Sequence, residues 1–193
     1  MHKEKEDLTF QPLTTHNWNH FEKLFGSNGA CGGCWCMTSR LTSKDYEKYK
    51  GNGNKQKFHR LVNAGKPLGI IAFKNNIPIG WCSVSPRQTF PRLENSKLLK
   101  RLDDIPVWSI TCLFIKKEFR RKKISSLIIY EAVNYAFQKG ATVVEAYPVI
   151  PKKKLMPDVF AFTGIPSAYK KAGFILAHQP NKNRMIMRKT KMK

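Results

Sequence analysis

Acidic residues are scarce in this chain: 13 Asp and Glu stand against 35 Lys and Arg, a formal charge of +22 over 193 residues. A summed potential of that sign attracts polyanions and repels polycations, which keeps nucleic acid in view as a partner and disfavours polycationic ligands. No RNA-recognition word with stacking aromatics accompanies the charge, so a nucleic-acid reading rests on charge alone. No run approaches the roughly 20 apolar residues of a membrane span, and no membrane association is expected. The opening MHKEKEDLTF lacks the apolar core of a secretory leader, which sets the cytoplasm as the expected location. Linkers rich in Pro, Gly and Ser are missing, as are internal repeats, and a single domain over 1–193 is expected. Cysteine is sparse and odd in number, five in all, which argues against a disulfide scaffold at this size. Cys31 and Cys34 form a C-x-x-C word with Cys36 beside it, but no second pair and no His-x-x-x-His completes four ligands, so no metal is expected. A cysteine-based redox or metal module stays as a rival, and it predicts metal retained on purification.

What is present reads as alternating helix and strand patterns. The first 65 residues are expected to be helices and loops, with Trp18, Phe21, Leu24 and Phe25 on one helical face after a cap at Asn17. GSNGACGGCWCM breaks regular structure, and GNGN at 51–54 marks another break before a helix through Phe58 to Ala64. Gly69 to Phe73 and Ile77 to Ser85 are β-prone runs around Lys74, Asn75 and Asn76, a hairpin. Residues 86–101 are irregular or short helix. VWSITCLFI, from Val107 to Ile115, is apolar almost throughout, as in a strand buried on both faces. A strand over Thr142 to Val149, a loop PKKKLMPDVFAFTG, a short helix near Pro166 to Ala172 and two strands near 174–178 and 185–188 close the chain. Residues 189–193 are expected to be a frayed basic tail. This order argues for an α/β fold.

FRRKKISSLIIYEAVNYAFQKG, residues 119–140, carries the most chemistry. A basic turn with Arg120, Arg121, Lys122 and Lys123 runs into an amphipathic helix whose apolar stripe is Ile124, Leu127, Ile128, Ala132, Tyr135 and Ala136. Unpaired amides in the first helical turn, with the positive end of the helix dipole behind them, make an anion site suited to phosphates. Gly140 ends the helix. Glu145 is the one acid in a core-strand pattern, a candidate general base if burial raises its pKa. Asp103 and Asp104 precede the central strand and read as a turn or as the start of a water chain; His178 reads as a surface strand residue. Trp81 and Trp108 are core or pocket wall, and with Trp35 they could form an aromatic box for an acceptor.

The strand–turn–helix CLFIKKEFRRKKISS, the later SAYKKAGF and the hairpin IPIGWCSVS together resemble the GCN5-related N-acetyltransferase (GNAT) superfamily over about Leu68 to Arg188. The resemblance implies a mixed, mostly antiparallel twisted sheet flanked by helices, with 68–188 as the acetyl-CoA-binding core and 1–67 as an acceptor-side extension. It implies acetyl transfer from acetyl-CoA to an amine by direct attack in a ternary complex. Arg120 falls on the first position of the family's cofactor motif, and Lys123 and Ser125 stand where two small residues are usual. The backbone of Leu113, Phe114 and Ile115 would meet the acyl group and pantetheine. Amides from Arg121 through Lys122, Lys123, Ile124 and Ser125 to Ser126 would hold the pyrophosphate. Tyr169 falls on the tyrosine that lies by the CoA sulfur and can protonate the departing thiolate. Phe162 stands where an asparagine is common. GCWCMTSR is similar to an acceptor-side element, which places Trp35, Cys36, Arg40 and Trp81 near the acceptor. A basic nucleic-acid-binding protein on the same scaffold, with little or no catalysis, is the alternative. Sheet extension through the last strands could pair two copies of the chain as a homodimer.

Overall fold

The computed structural model describes residues 8–151 and 162–192. Its sheet has the strand order β1-β2-β3-β4-β5-β7-β6, where β1 is Leu8–Pro12, β2 Gly69–Lys74, β3 Ile77–Pro86, β4 Val107–Ile115, β5 Val143–Ala146, β6 Ile175–Asn181 and β7 Arg184–Thr190. Every neighbouring pair is antiparallel except β4 and β5, which are parallel and joined by the crossover helix α5, Ile124–Gln138. The other helices are α1 Trp18–Phe25, α2 Ser43–Lys48, α3 Asn52–Asn63, α4 Pro91–Glu94 and α6 Pro166–Lys171.

Strand alternation divides the core in two. Ile70 and Ala72 of β2, with Cys82 and Val84 of β3, face α5 and α6. Ile71 and Phe73, with Trp81, face α1 and α3 and pack on Trp18, Phe21, Phe25 and Phe58. Successive strand side chains point to opposite faces, so a helical layer on each side requires this near-continuous apolar pattern. The β2–β3 hairpin turns at Asn75 and Asn76, both in the left-handed region (φ 48° and 62°). Asparagine tolerates that region best among side-chain-bearing residues.

Several elements differ from the sequence reading. Leu8–Pro12 is a strand on the sheet edge, not loop. Five residues that borrow their hydrogen bonds from β2 leave too short a pattern to read alone. Helix α3 starts at Asn52, inside the GNGN word. Asn17 does precede α1 but makes no side-chain cap; its amide instead ties back to Thr14 and Pro12. On α5 the buried stripe includes Ile129 and Val133, while Leu127 is exposed. The strand after α5 ends at Ala146, with Val149 reduced to an isolated bridge to Arg184. Lys189 and Thr190 belong to β7, and the Lys189 ammonium donates to the Ala172 carbonyl at 2.8 Å. Most of the PKKKLMPDVFAFTG loop falls outside the described residues.

Candidate active site

Strands β4 and β5 pair only from Val107↔Val143 to Ile110↔Ala146, yet β4 runs on to Ile115. The register with β3 shifts at Ser83/Val84, which leaves Thr111 as an extra residue on β4. A bulge of this kind bends a strand and ends pairing. Beyond it, among the described residues, no strand pairs with β4 on the β5 side. The N–H of Leu113 donates instead to the carbonyl of Phe162 at 2.6 Å. Lys116 N–H turns the other way, to Ile79 on β3, so by the alternation of strand amides Ile115 shares the open side with Leu113. The Phe114 side chain lies on the α1 face, its ring 5.6 Å from that of Phe25.

The basic turn leads from this opening to the N-terminus of α5. The Arg120 Nε donates to the Ile115 carbonyl at 2.8 Å and ties the turn to the strand end. Arg121, Lys122 and Lys123 are exposed, and Ser125 and Ser126 are half-buried. Lys123 is the N-cap residue in a left-handed conformation (φ 62°), with no side-chain cap on the helix amides. No acid stands in the first turn of α5, so its amides and dipole are open to an anion, and the turn fits a pyrophosphate. Arg121 is also left-handed (φ 61°). Left-handed backbone costs a side-chain-bearing residue about 1–2 kcal/mol. Lys123→Gly is therefore expected to raise stability by about 1 kcal/mol, read as an increase in the urea midpoint without a change in slope.

Tyr169 of α6 is fully buried, and its hydroxyl donates to the Thr163 carbonyl at 2.9 Å. Burial, then the nearby sulfurs of Cys82 and Cys112, hold the phenol well above its ordinary pKa, so it keeps its proton. Gly164 makes the approach possible: at φ 76°, a Cβ there would lie 2.7 Å from the tyrosine ring.

On the α1 face of the sheet a cavity of about 220 Å³ is lined by Cys31, Cys34, Cys36, Thr38, Ser39, Tyr46, Thr111, Cys112 and Phe162. It adjoins the opening through Phe162, whose carbonyl sits on Leu113. Among the described residues, none of the lining side chains is a carboxylate, lysine or arginine.

The sequence profile of the Acetyltransferase (GNAT) family matches residues 35–153. The chain belongs to this family. Solved structures share the fold over nearly the whole chain. A PaiA N-acetyltransferase from Thermoplasma acidophilum, in complex with coenzyme A, is 17% identical with a TM-score of 0.52 and covers 96% of this chain and 99% of its own. A ribosomal-protein-S5-alanine acetyltransferase from Vibrio fischeri is 12% identical with a TM-score of 0.57, over 97% and 94% of the two chains. A GNAT acetyltransferase from Listeria monocytogenes is 10% identical with a TM-score of 0.56, over 98% of each chain. No curated protein matches the chain in sequence.

Within this GNAT fold the expected residues fall into separate groups. Leu113, Ile115 and the 120–126 turn come together along one opening. Cys36 lines the adjoining cavity, with Arg40 and Trp81 buried beside it, whereas Trp35 packs on Phe25 and lines a different cleft with Glu22, Lys23 and Lys55. The aromatic box does not assemble, because Trp108 lies on the opposite face of the sheet against Tyr135. Glu145 is 1% exposed, and both its oxygens are taken: Oε1 accepts from Arg87 (2.9 Å) and Tyr147 (2.6 Å), Oε2 from Arg188 (2.7 Å). A carboxylate held by two guanidiniums serves as their counter-ion, and neither oxygen is free to take a proton without breaking one of those bonds. Asp103 is likewise occupied by Arg188. The sequence reading did not anticipate the Phe162 carbonyl, the Thr111 bulge or the Tyr46 wall; Thr38 and Ser39 lie within the GCWCMTSR word but were not singled out, and Phe162 stood on a family position.

Proposed function

We propose that this GNAT acyltransferase moves an acetyl group from acetyl-CoA to the amine of a small, neutral acceptor by direct attack. The observation that carries this reading is the Leu113 amide, directed out of the β4 edge where β5 has ended and already holding a carbonyl oxygen. An acyl oxygen needs the same donor, and a fixed backbone N–H stabilises the charge that grows on it during attack. Thioester binding would displace the Phe162 carbonyl from that amide. The amides of 121–126 would take the pyrophosphate, and the co-substrate supplies the activated acyl group. Holding amine and thioester together accounts for much of the rate in such transfers. No carboxylate lines the cavity among the described residues, and the amine proton would leave through water. The net charge of +22 favours a neutral or acidic acceptor over a polycation, and it would draw the anionic co-substrate toward the turn.

Calorimetric titration with acetyl-CoA at roughly physiological salt, where the Debye length is about 8 Å and loose polyanion attraction is screened, tests the reading. Saturable one-site binding is expected, weakened by Lys123→Glu and not reproduced by ATP. Tight binding of a short RNA with none of acetyl-CoA would overturn it.

A further inference from the structure

Cys36 sits over three side chains that strand register brings to one face of the sheet. Trp81 and Ser83 lie two apart on β3, and Cys112 is the β4 partner of Ser83. The Trp81 indole N–H, which can only donate, reaches the Cys36 sulfur at 3.2 Å. Cys112 lines the same cavity as Cys36, and the Cys112 thiol and the Arg40 charge both act to lower the Cys36 pKa. Arg40 is 7% exposed and leaves its Nε without a partner. Among the described residues, its Nη2 reaches neutral oxygens, those of Leu68, Ser83 and Ser85. A buried cation without a counter-ion is costly, and the anion available to this one is the sulfur of Cys36.

The other thiols are placed differently. Cys34 donates its own proton to the Gly29 carbonyl at 3.3 Å and is pushed up by burial. Cys82 is buried, raised by that burial and absent from the cavity wall. At Cys36 burial would also raise the pKa, but Cys112, Arg40, Ser83 and Trp81 outweigh it and bring the thiol to about 6. The backbone contributes to the placement: Trp35 and Cys36 are both left-handed (φ 42° and 60°), a strained pair that aims the sulfur at β3 and β4. Among the described residues no cluster of three metal-ligating side chains exists, and two thiols lining one cavity suit thiol chemistry.

We propose that Cys36 and Cys112 form a redox-active dithiol in the wall of the acceptor cavity, which a small peroxide converts to a disulfide. The Cys36 thiolate attacks one peroxide oxygen; the S–O bond forms, the O–O bond breaks, and hydroxide leaves, giving a sulfenic acid on Cys36. The sulfur is oxidised by two electrons and the peroxide is reduced. The Cys112 sulfur then attacks Cys36; the S–S bond forms, the S–O bond breaks, and the hydroxyl leaves with the Cys112 proton as water. A dithiol reductant reverses the bond by exchange. The cavity, about 220 Å³, admits an oxidant of two heavy atoms. The disulfide would fasten the segment carrying Cys36 to β4 one residue before Leu113, so oxidation would narrow the acceptor side of the acyl site. The dithiol chemistry itself stands apart from the acyl-transfer reading, since it needs no co-substrate.

The test treats the full chain with hydrogen peroxide, blocks remaining thiols and maps peptides by mass without reduction. A Cys36–Cys112 bridged peptide is expected, reversed by dithiothreitol and lost in Cys36→Ser and in Cys112→Ser, each checked for folding by circular dichroism. In Cys112→Ser, dimedone should tag Cys36 as the stranded sulfenic acid. In the untreated protein, alkylation of Cys36 by iodoacetamide should rise with a midpoint near pH 6, against about 8.5 for an unperturbed thiol. Bridging of Cys31 to Cys34 with Cys36 left free would overturn the proposal. So would an ordinary alkylation midpoint at Cys36 with no bridged peptide.

Discussion

Replacing Arg87 by alanine is expected to cost about 3–5 kcal/mol of stability, the largest effect of any single change at a charged residue here. Arg87 is 1% exposed. Its guanidinium donates to Glu94 at 2.6 Å, to Glu145 and the Tyr147 hydroxyl at 2.9 Å each, and to the Leu99 carbonyl at 2.6 Å. These contacts pin the irregular 87–102 segment to β5. Without Arg87, the carboxylate of Glu145 stays buried with one guanidinium in place of two, and the Leu99 carbonyl loses its donor. Leaving a buried charge or acceptor short of partners costs far more than the net worth of the bonds that held it. Urea unfolding measures the loss, and a midpoint unchanged within error would show that the network is replaceable. Acid should act in the same direction. At Glu94 burial raises the pKa, but hydrogen bonds from Arg101 and then Arg87 outweigh it and hold the carboxyl below its ordinary value. Its stabilising contribution is complete above the ordinary carboxylate range and is lost as pH falls through and below that range. In Arg87→Ala that acid dependence should weaken.

Tyr169→Phe is expected to lower kcat by about 10²–10⁴-fold with little change in KM for acetyl-CoA, on the reading that the phenol protonates the departing thiolate. Burial raises the phenol pKa, so the group carries its proton when the thiolate departs, although the same shift makes it a weaker acid. Its hydroxyl now donates to the Thr163 carbonyl, one residue from the Phe162 carbonyl that occupies the Leu113 amide. Displacing this segment on thioester binding would free amide and phenol together. A purely structural tyrosine gives a different result: stability falls by about 1 kcal/mol for the lost hydrogen bond, and kcat holds. Measuring kcat, KM and the urea midpoint on one preparation separates the two.

Much of the fold was legible along the chain because its signals are local. The apolar run of β4, the hairpin turn at Asn75 and Asn76, and the stripe of α5 each reflect a periodicity that neighbouring residues set for themselves. The basic turn before α5 was legible for the same reason, since a helix N-terminus and its charges lie within one short stretch. Tertiary structure decided what depends on partners far apart in sequence. Strand β1 exists through its pairing with β2. Glu145 had the sequence marks of a buried base, and became a counter-ion only when the fold delivered Arg87 and Arg188 to its two oxygens. Cys36 and Cys112, far apart in sequence, come to one cavity wall because Ser83 pairs with Cys112 and Trp81, whose indole reaches Cys36, stands beside Ser83 on the same face. Sequence sets the period and the propensity of each segment; which side chains then share a dielectric, a hydrogen bond or a charge is settled by the register between strands, and chemistry follows from those contacts.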